Sequence, residues 1–219
     1  MMGACSLAAQ SAPPAIEGVL LKQTYGTGVG GAMTLEYAPH VLFADGSITS
    51  DLRDVATTPA EFAAWRGRDP SKWGTARITG ETVEVRWHGG PTETWKKMFR
   101  ARPADTTLQL EGRYRDMGGT GNTALGGSAM VAVWSDYTFG SGNSYERGGG
   151  AGATTSGGGG SVVTSSQRGA QRGTYCVDRW TITFTGADGS TQRAWFYRFP
   201  DDDRVIGIGG GTYLKRRQR

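Results

Sequence analysis

Apolar and polar residues alternate along much of the chain, and this period of two predicts antiparallel β-strands with one face towards water. In one such run Val83, Val85 and Trp87 alternate with Glu84 and Arg86. A later run repeats the pattern with Trp180, Ile182 and Phe184. Counting these runs gives roughly ten strands. The pattern therefore predicts an all-β protein.

The chain also contains an internal repeat. Residues 173–199 have a weaker copy at residues 74–99. Both copies begin with Gly-Thr, then break at a two-residue turn, continue as an alternating strand, turn at a glycine and end in an aromatic strand that finishes with Phe. We therefore predict two tandem repeats, residues 16–109 and 110–214.

Two arrangements of these strands are compatible with a repeat. A single antiparallel barrel of roughly ten strands, made from two equivalent halves, would remove all sheet edges, and we favour it. Two small barrels packed together are the alternative. Residues 1–15 have the composition of a flexible N-terminal leader, and residues 215–219 form a basic tail.

One short helix is predicted within the first repeat. Its start is marked by a capping box and a proline at the first helical position, in Thr58, Pro59 and Glu61. Phe62 and Trp65 would form its buried stripe, and Gly67 would end it. The second repeat has a glycine-rich segment instead, Arg147–Gly160, which predicts a loop. It is not a phosphate-binding loop, because no helix follows and no lysine is present.

The net charge of +4 does not indicate a nucleic-acid-binding protein. Four basic residues lie among the last five, Lys215, Arg216, Arg217 and Arg219, so the rest of the chain has a net charge of zero (4 − 4). No basic patch interleaved with aromatic residues occurs elsewhere. We therefore expect no specific nucleic-acid partner.

The cysteines indicate a location rather than a metal site. The chain has two, Cys5 and Cys176, and no CxxC motif. Small residues around Cys5 resemble the cleavage site of a bacterial lipoprotein signal, which predicts lipidation of Cys5 and a periplasmic or lipid-anchored location in the bacterial envelope. A signal also needs a charged and an apolar segment before the cysteine, so either the natural start lies upstream or the resemblance is accidental.

Candidate catalytic residues are few. His40 lies in a predicted strand where the second repeat has Tyr137, and His88 lies in a turn. Neither a nucleophile elbow nor a zinc-binding HExxH motif occurs. We assign no catalytic residue, metal ligand or cofactor, and we favour a protein that is not an enzyme.

Aromatic residues are the strongest functional signal. Barrels of about eight strands hold side chains or one small ligand, and aromatic walls suit a hydrophobic or planar molecule. The predicted ligand-binding residues are Tyr37, His40, Trp87, Trp134, Tyr137 and Trp195. The alternative is that these aromatic residues simply fill the core.

The repeated hairpins, the small-residue leader and the aromatic interior resemble lipocalin-like (calycin-type) barrels. Residues 173–189 also resemble a pattern, G-x-Y-x-x-D-x-x-T-[IL]-x-[FL] followed by D-G, of an uncharacterised family of bacterial secreted proteins and lipoproteins. The Gly-x-Trp opening of lipocalins is missing from the first strand. The resemblance implies an envelope protein that binds a small hydrophobic molecule or a lipid. A structural or interaction module without a ligand, and an enzyme using the barrel mouth, are the alternatives.

Overall fold

A computed structural model describes residues 13–105, 107–157 and 160–217. Most of the described residues lie in strands, and these strands form two antiparallel sheets. The predicted all-β, antiparallel architecture with one short α-helix is confirmed. Among the described residues no helix has the length and apolar character needed to cross a membrane.

The first sheet has seven strands in the spatial order β6-β5-β4-β3-β2-β1-β7. Its strands are β1 (Ile16–Thr27), β2 (Met33–Phe43), β3 (Ser47–Thr49), β4 (Trp73–Thr79), β5 (Thr82–Trp87), β6 (Thr92–Trp95) and β7 (Met98–Arg100). The helix α1 (Pro59–Arg68) lies between β3 and β4 in the chain. The sheet is nearly closed, because β7 pairs with β1 but β6 and β7 are not hydrogen-bonded neighbours.

The second sheet is a closed barrel of eight strands, each paired with its neighbours in the chain. These strands are β8 (Gly112–Gly121), β9 (Ala129–Gly140), β10 (Ser144–Gly157), β11 (Gly160–Asp178), β12 (Thr181–Gly186), β13 (Thr191–Arg198), β14 (Val205–Ile208) and β15 (Gly211–Lys215). Pairing of β15 with β8 closes the barrel.

The two sheets share one strand order. Reading β13-β12-β11-β10-β9-β8-β15 around the barrel reproduces the order of the first sheet strand by strand. Only β14 has no counterpart, and it is the strand that joins β13 to β15. The repeat seen in the sequence is therefore visible in the topology, and the first sheet is open at the place where it has no counterpart of β14.

The strands form two sheets. The arrangement favoured from the sequence was instead one barrel of roughly ten strands. Each repeat pairs its last strand with its own first strand, β7 with β1 and β15 with β8. Pairing within a repeat closes a shorter loop than pairing between repeats, and shorter loops cost less conformational entropy. The arrangement corresponds to the alternative of two small barrels.

Three buried clusters stabilise this architecture. One is built from side chains of all eight barrel strands and fills the barrel. Another, around Leu20, Val85 and Trp95, fills the concave side of the first sheet. The third lies between the two sheets, where Val41 and Phe43 of β2 meet barrel residues and α1. We call it the interface cluster; its barrel members are Trp180, Trp195 and Tyr197.

Helix α1 begins as predicted. The Thr58 side chain accepts a hydrogen bond from the Glu61 amide, and the Glu61 carboxylate accepts one from the Thr58 amide, which completes the capping box. Trp65 is buried and Phe62 is half-buried in the interface cluster. The helix ends one residue beyond Gly67, at Arg68.

The prediction of a loop at Arg147–Gly160 was wrong. Its described residues belong to β10 and the start of β11, which pair with each other, and β10 also pairs with β9. The Trp134 ring of β9 lies against the hairpin, so that a Cβ atom at Gly150 would be 2.5 Å from the ring. An aromatic ring over glycine supplies the packing that the glycine lacks, which explains why a glycine-rich run forms a strand here.

The C-terminal end of the chain differs from the basic tail that the sequence predicted. Lys215 is the last residue of β15, with its ammonium 5.9 Å from the centre of the Tyr114 ring, and the Arg216 amide donates to the Arg113 carbonyl at 2.7 Å. The predicted basic tail therefore begins as a strand. The leader, with the lipidation prediction for Cys5, lies almost entirely in residues 1–12, outside the described residues.

Candidate functional site

The structure distributes the six predicted ligand-binding residues over four environments and forms no single pocket from them. His40 and Trp87 lie on the concave side of the first sheet, Tyr37 and Trp195 join the interface cluster, Tyr137 is inside the barrel, and Trp134 lies on the outside of the barrel wall. Their assignment as a common binding wall is therefore not supported by their positions.

His40 is a packing residue in a polar corner of the first sheet. Its ring lies 4.6 Å from the Trp95 ring, and its Nδ1 is 2.9 Å from the Ala38 carbonyl oxygen. Burial lowers the pKa of the His40 imidazole to about 4, so the ring is neutral at pH 7. No carboxylate hydrogen-bonds to His40 among the described residues, so the pairing expected of a catalytic base is missing there.

Trp87 contributes to a carboxylate site beside His40. The Glu93 carboxylate accepts hydrogen bonds from the Trp87 indole at 3.0 Å and the Trp95 indole at 2.8 Å, and it pairs with the Lys22 ammonium. The hydrogen bond from Lys22 holds the pKa of Glu93 below its ordinary value. Lys22 belongs to β1 and Glu93 to β6, so this ion pair links two strands across the opening of the sheet.

Tyr37 and Trp195 hold the two sheets together. The Tyr37 ring meets Phe99 and Phe199 edge to face, at centroid distances of 5.7 and 5.3 Å. The indole N–H of Trp195 donates to the Asp54 carbonyl at 2.7 Å, which joins the barrel to the segment before α1. The contacts of Tyr37 and Trp195 are therefore explained by packing between the two sheets.

Tyr137 belongs to the aromatic core of the barrel. Its ring stacks on Phe139 and Phe184 at 5.7 and 5.2 Å, and only 3% of the residue is exposed. Burial raises the pKa of its hydroxyl. One end of this core is covered by the segment before β8, where the Leu110 amide donates to the Tyr175 hydroxyl at 2.7 Å.

The other end of the barrel carries a polar groove. Residues directly opposite each other on antiparallel strands point to the same side. Asp116 is opposite Ser135, and Arg147 is opposite both Tyr137 and Gln171, so these side chains share the inner face with the core tyrosines. The long hairpins β8–β9 and β10–β11 extend this face beyond the closed barrel.

We call this depression the mouth groove. It has a volume of about 850 Å³, in the range of small-molecule sites. Its inward-facing side chains are Asp116, Val133, Ser135, Arg147, Ala151, Ser166 and Gln171. A smaller depression of about 260 Å³ shares Gln171 and continues to Gln192. The groove is thus walled by a mixture of hydrogen-bonding side chains, glycine backbone and apolar side chains such as Val133.

Arg147 is the cation of the mouth groove. Its guanidinium lies 5.4 Å from the centre of the Tyr137 ring and donates a long hydrogen bond of 3.5 Å to Gln192. No carboxylate of the described residues lies within ion-pair distance of it. Arg172 on β11, by contrast, pairs with Glu146 on the outer face at 2.8 Å.

Asp116 is the anion of the same groove. It is half-buried, and desolvation raises the pKa of its carboxyl above the ordinary value. Ion pairs in the described part of the chain do not include it. On the same wall the Tyr213 hydroxyl donates to the Ser135 hydroxyl at 3.4 Å. The groove therefore presents an acidic and a basic group, and neither has a charged partner in the part of the chain that the structure describes.

Trp134 borders the groove from outside. It alternates with the inward-facing Val133 and Ser135, and the Arg115 guanidinium lies 5.8 Å from its ring centre. Asp136, also outward, pairs with Arg115 at 2.7 Å and with Arg113 at 2.8 Å. This ion-pair cluster stabilises the outer wall.

The sequence analysis missed Asp116, Ser135, Arg147 and Gln171. A signal was present for three of them, because Asp116, Ser135 and Arg147 each lie two positions from an inward-facing tyrosine, as in Tyr114-x-Asp116. Gln171 has glycines at the corresponding positions and carried no such signal. The change from aromatic to polar at inward positions marks the end of the packed core.

Among the described residues, no group of three or more His, Cys, Asp or Glu side chains is arranged to hold a metal ion. Comparison of the chain with protein-family models, curated proteins and solved structures gives no significant match.

Proposed function

We propose that the protein is a binding protein whose mouth groove holds a small polar molecule that carries an anionic group. The observation that supports this most is the pair Asp116 and Arg147, two opposite charges that face one groove and have no charged partner among the described residues. Partly buried charges lose hydration, and a ligand with complementary groups would offset that loss.

The roles of the two groups follow from their chemistry. A guanidinium binds carboxylate or phosphate oxygens with paired hydrogen bonds, so Arg147 would hold the anionic end. Asp116 would accept hydrogen bonds from hydroxyl or amino groups of the ligand. Gln171 and Ser135 add neutral donors and acceptors on the same wall.

The ligand differs from the one expected from the aromatic residues alone. The barrel interior is occupied by stacked aromatic side chains, among them Tyr137, Phe139 and Phe184. A hydrophobic molecule inside the barrel would have to displace them, at a cost of several kcal/mol. The mouth offers open volume without this cost. Location in the bacterial envelope, a lipid anchor on Cys5 and kinship with lipocalin-like barrels stay predictions.

A structural or interaction module is the second candidate. It is favoured by the three packed clusters, which together account for most of the large aromatic residues. The mouth groove distinguishes the two candidates, since a purely structural module needs no unpaired charges there.

The test is native mass spectrometry of the protein purified gently from its own host, with the denatured mass as reference. We expect a reproducible extra mass in the wild type and its loss in Arg147→Met. One charge-assisted hydrogen bond contributes about 1.5–3 kcal/mol, which corresponds to a loss of affinity of about 10- to 100-fold.

Arg193→Met is the matched control, because Arg193 is also a barrel arginine but faces outward, opposite Thr183, and lines neither depression. The extra mass should persist in this variant. Persistence in Arg147→Met, or the absence of any extra mass in repeated wild-type preparations, would contradict the binding function and favour the structural module.

A further inference from the structure

A second depression lies on the first sheet, between helix α1 and the turn that joins β5 to β6. We call it the helix groove; it has a volume of about 770 Å³. Its walls are formed by Ala63, Arg66, Gly67, Pro70, Trp73, Gly74, Thr75, Arg86, Trp87, His88 and Gly89. It shares no residue with the mouth groove.

The polar side chains of the helix groove are donors with few acceptors. Arg66 and Arg86 are exposed, and neither forms an ion pair with a described residue. No aspartate or glutamate lines the groove. His88 and Thr75 add an imidazole and a hydroxyl. Positive charge is therefore concentrated in a concave site without protein carboxylates to neutralise it.

Trp73 is the buried wall residue of the groove. The residue is only 2% exposed, and the Arg66 guanidinium lies 5.8 Å from the centre of its ring. This cation–π contact places the charge of Arg66 at the wall of the groove.

Strands β4 and β5, the turn after β5 and helix α1 bring the residues of the helix groove together. Thr75 and Arg86 are opposite each other on β4 and β5, on the face away from the concave cluster that contains Val85. The His88 amide donates to the Trp73 carbonyl at 2.8 Å, which fixes the turn beside the start of β4. Helix α1 then brings Arg66 over Trp73.

We infer that the helix groove is a binding site for a small molecule that joins an oxyanion to an apolar or aromatic ring. Arg66 and Arg86 would bind the oxyanion, since guanidinium groups match phosphate, sulfate and carboxylate oxygens. Pro70 and Ala63, which line the groove and are exposed, would contact the ring. This site is independent of the mouth groove.

Phenyl phosphate is a suitable probe, and benzyl alcohol is its neutral counterpart. Titration of the ¹⁵N-labelled protein should shift the indole signal of Trp73 with phenyl phosphate and leave it in place with benzyl alcohol. Arg66→Met and Arg86→Met should each weaken the affinity about tenfold, the effect of one charge-assisted hydrogen bond.

Arg77→Met is the matched control, because Arg77 lies on the same face of β4 but outside the groove, opposite Glu84. The Arg77→Met and Arg147→Met variants should both bind phenyl phosphate with the affinity of the wild type. Equal weakening by Arg77→Met would show general attraction by surface charge and overturn the inference. No shift of the Trp73 signal, or an equal shift with benzyl alcohol, would overturn it as well.

Discussion

At the scale of single residues, burial rather than residue type decides what a side chain does. His40 and His88 are the two histidines of the chain. His40 is buried among tryptophan rings, whereas His88 is exposed at the rim of the helix groove. The repeat already indicated this role for His40, because Tyr137 replaces it in the second copy.

The buried histidine makes stability depend on pH. Its pKa is about 4 in the folded protein and 6.5 in an unfolded chain. Between these values the unfolded state binds a proton that the folded state does not, so the free energy of unfolding rises as pH rises from 4 to 6.5. The contribution is fully present above pH 6.5 and is lost as pH falls to 4; its size is about 3 kcal/mol.

Urea unfolding at pH 7 and at pH 4.5 measures this effect. His40→Gln should lose most of the difference, and His88→Gln should keep it. If NMR instead showed a pKa of the His40 imidazole near 6.5 in the folded protein, that value would contradict the effect of burial.

At the scale of elements, the repeated hairpin needs a glycine at one equivalent position in each copy. Gly74 on β4 and Gly173 on β11 occupy equivalent positions, each opposite the end of the next strand. A Cβ atom would lie 2.5 Å from the Arg86 carbonyl oxygen at Gly74 and 1.9 Å from the Thr185 carbonyl oxygen at Gly173. Neither position has room for a side chain.

Gly173→Ala should therefore lower the free energy of unfolding by about 3 kcal/mol, the upper range for overpacking. Gly67→Ala should have the opposite effect on stability. Gly67 lies in helix α1, and a Cβ atom added there would meet no atom within 4 Å. That change should raise stability by about 0.5–1 kcal/mol, since alanine favours helix over glycine. Thermal and urea unfolding check both values, and an equal effect of the two substitutions would contradict the steric explanation.

At the scale of the whole molecule, the interface cluster couples the two sheets. Trp65 of α1 lies 4.7 Å from the Trp73 ring of the first sheet and 5.8 Å from the Trp195 ring of the barrel. One side chain thus packs against both halves. Because Trp65 is only 2% exposed, its loss would leave a cavity that neither half can fill alone.

Trp65→Ala should lower the free energy of unfolding by about 3–5 kcal/mol. In the wild type, tryptophan fluorescence and far-ultraviolet circular dichroism should report one coincident transition. Leu125→Ala, at a residue 82% exposed, is the control and should change little. Two separate wild-type transitions would show that the sheets unfold independently.

Much of the fold could be predicted from the sequence because its causes are local. Alternation of apolar and polar residues fixes strands such as β5 and β12, and the Thr58–Glu61 capping box fixes the start of α1. Turns depend on a few glycines, such as Gly80 and Gly189 with positive φ. The repeat follows from comparing the chain with itself.

Only the tertiary structure decided how the strands close and where the polar groups meet. Whether β15 pairs with β8 or continues into another sheet depends on contacts between residues a hundred positions apart. Asp116 and Arg147 come from separate strands, and their shared groove exists only because the barrel closes beside them. The aromatic residues chosen from the sequence turned out to occupy different packing clusters, because a sequence shows that a residue is buried but not which neighbours bury it.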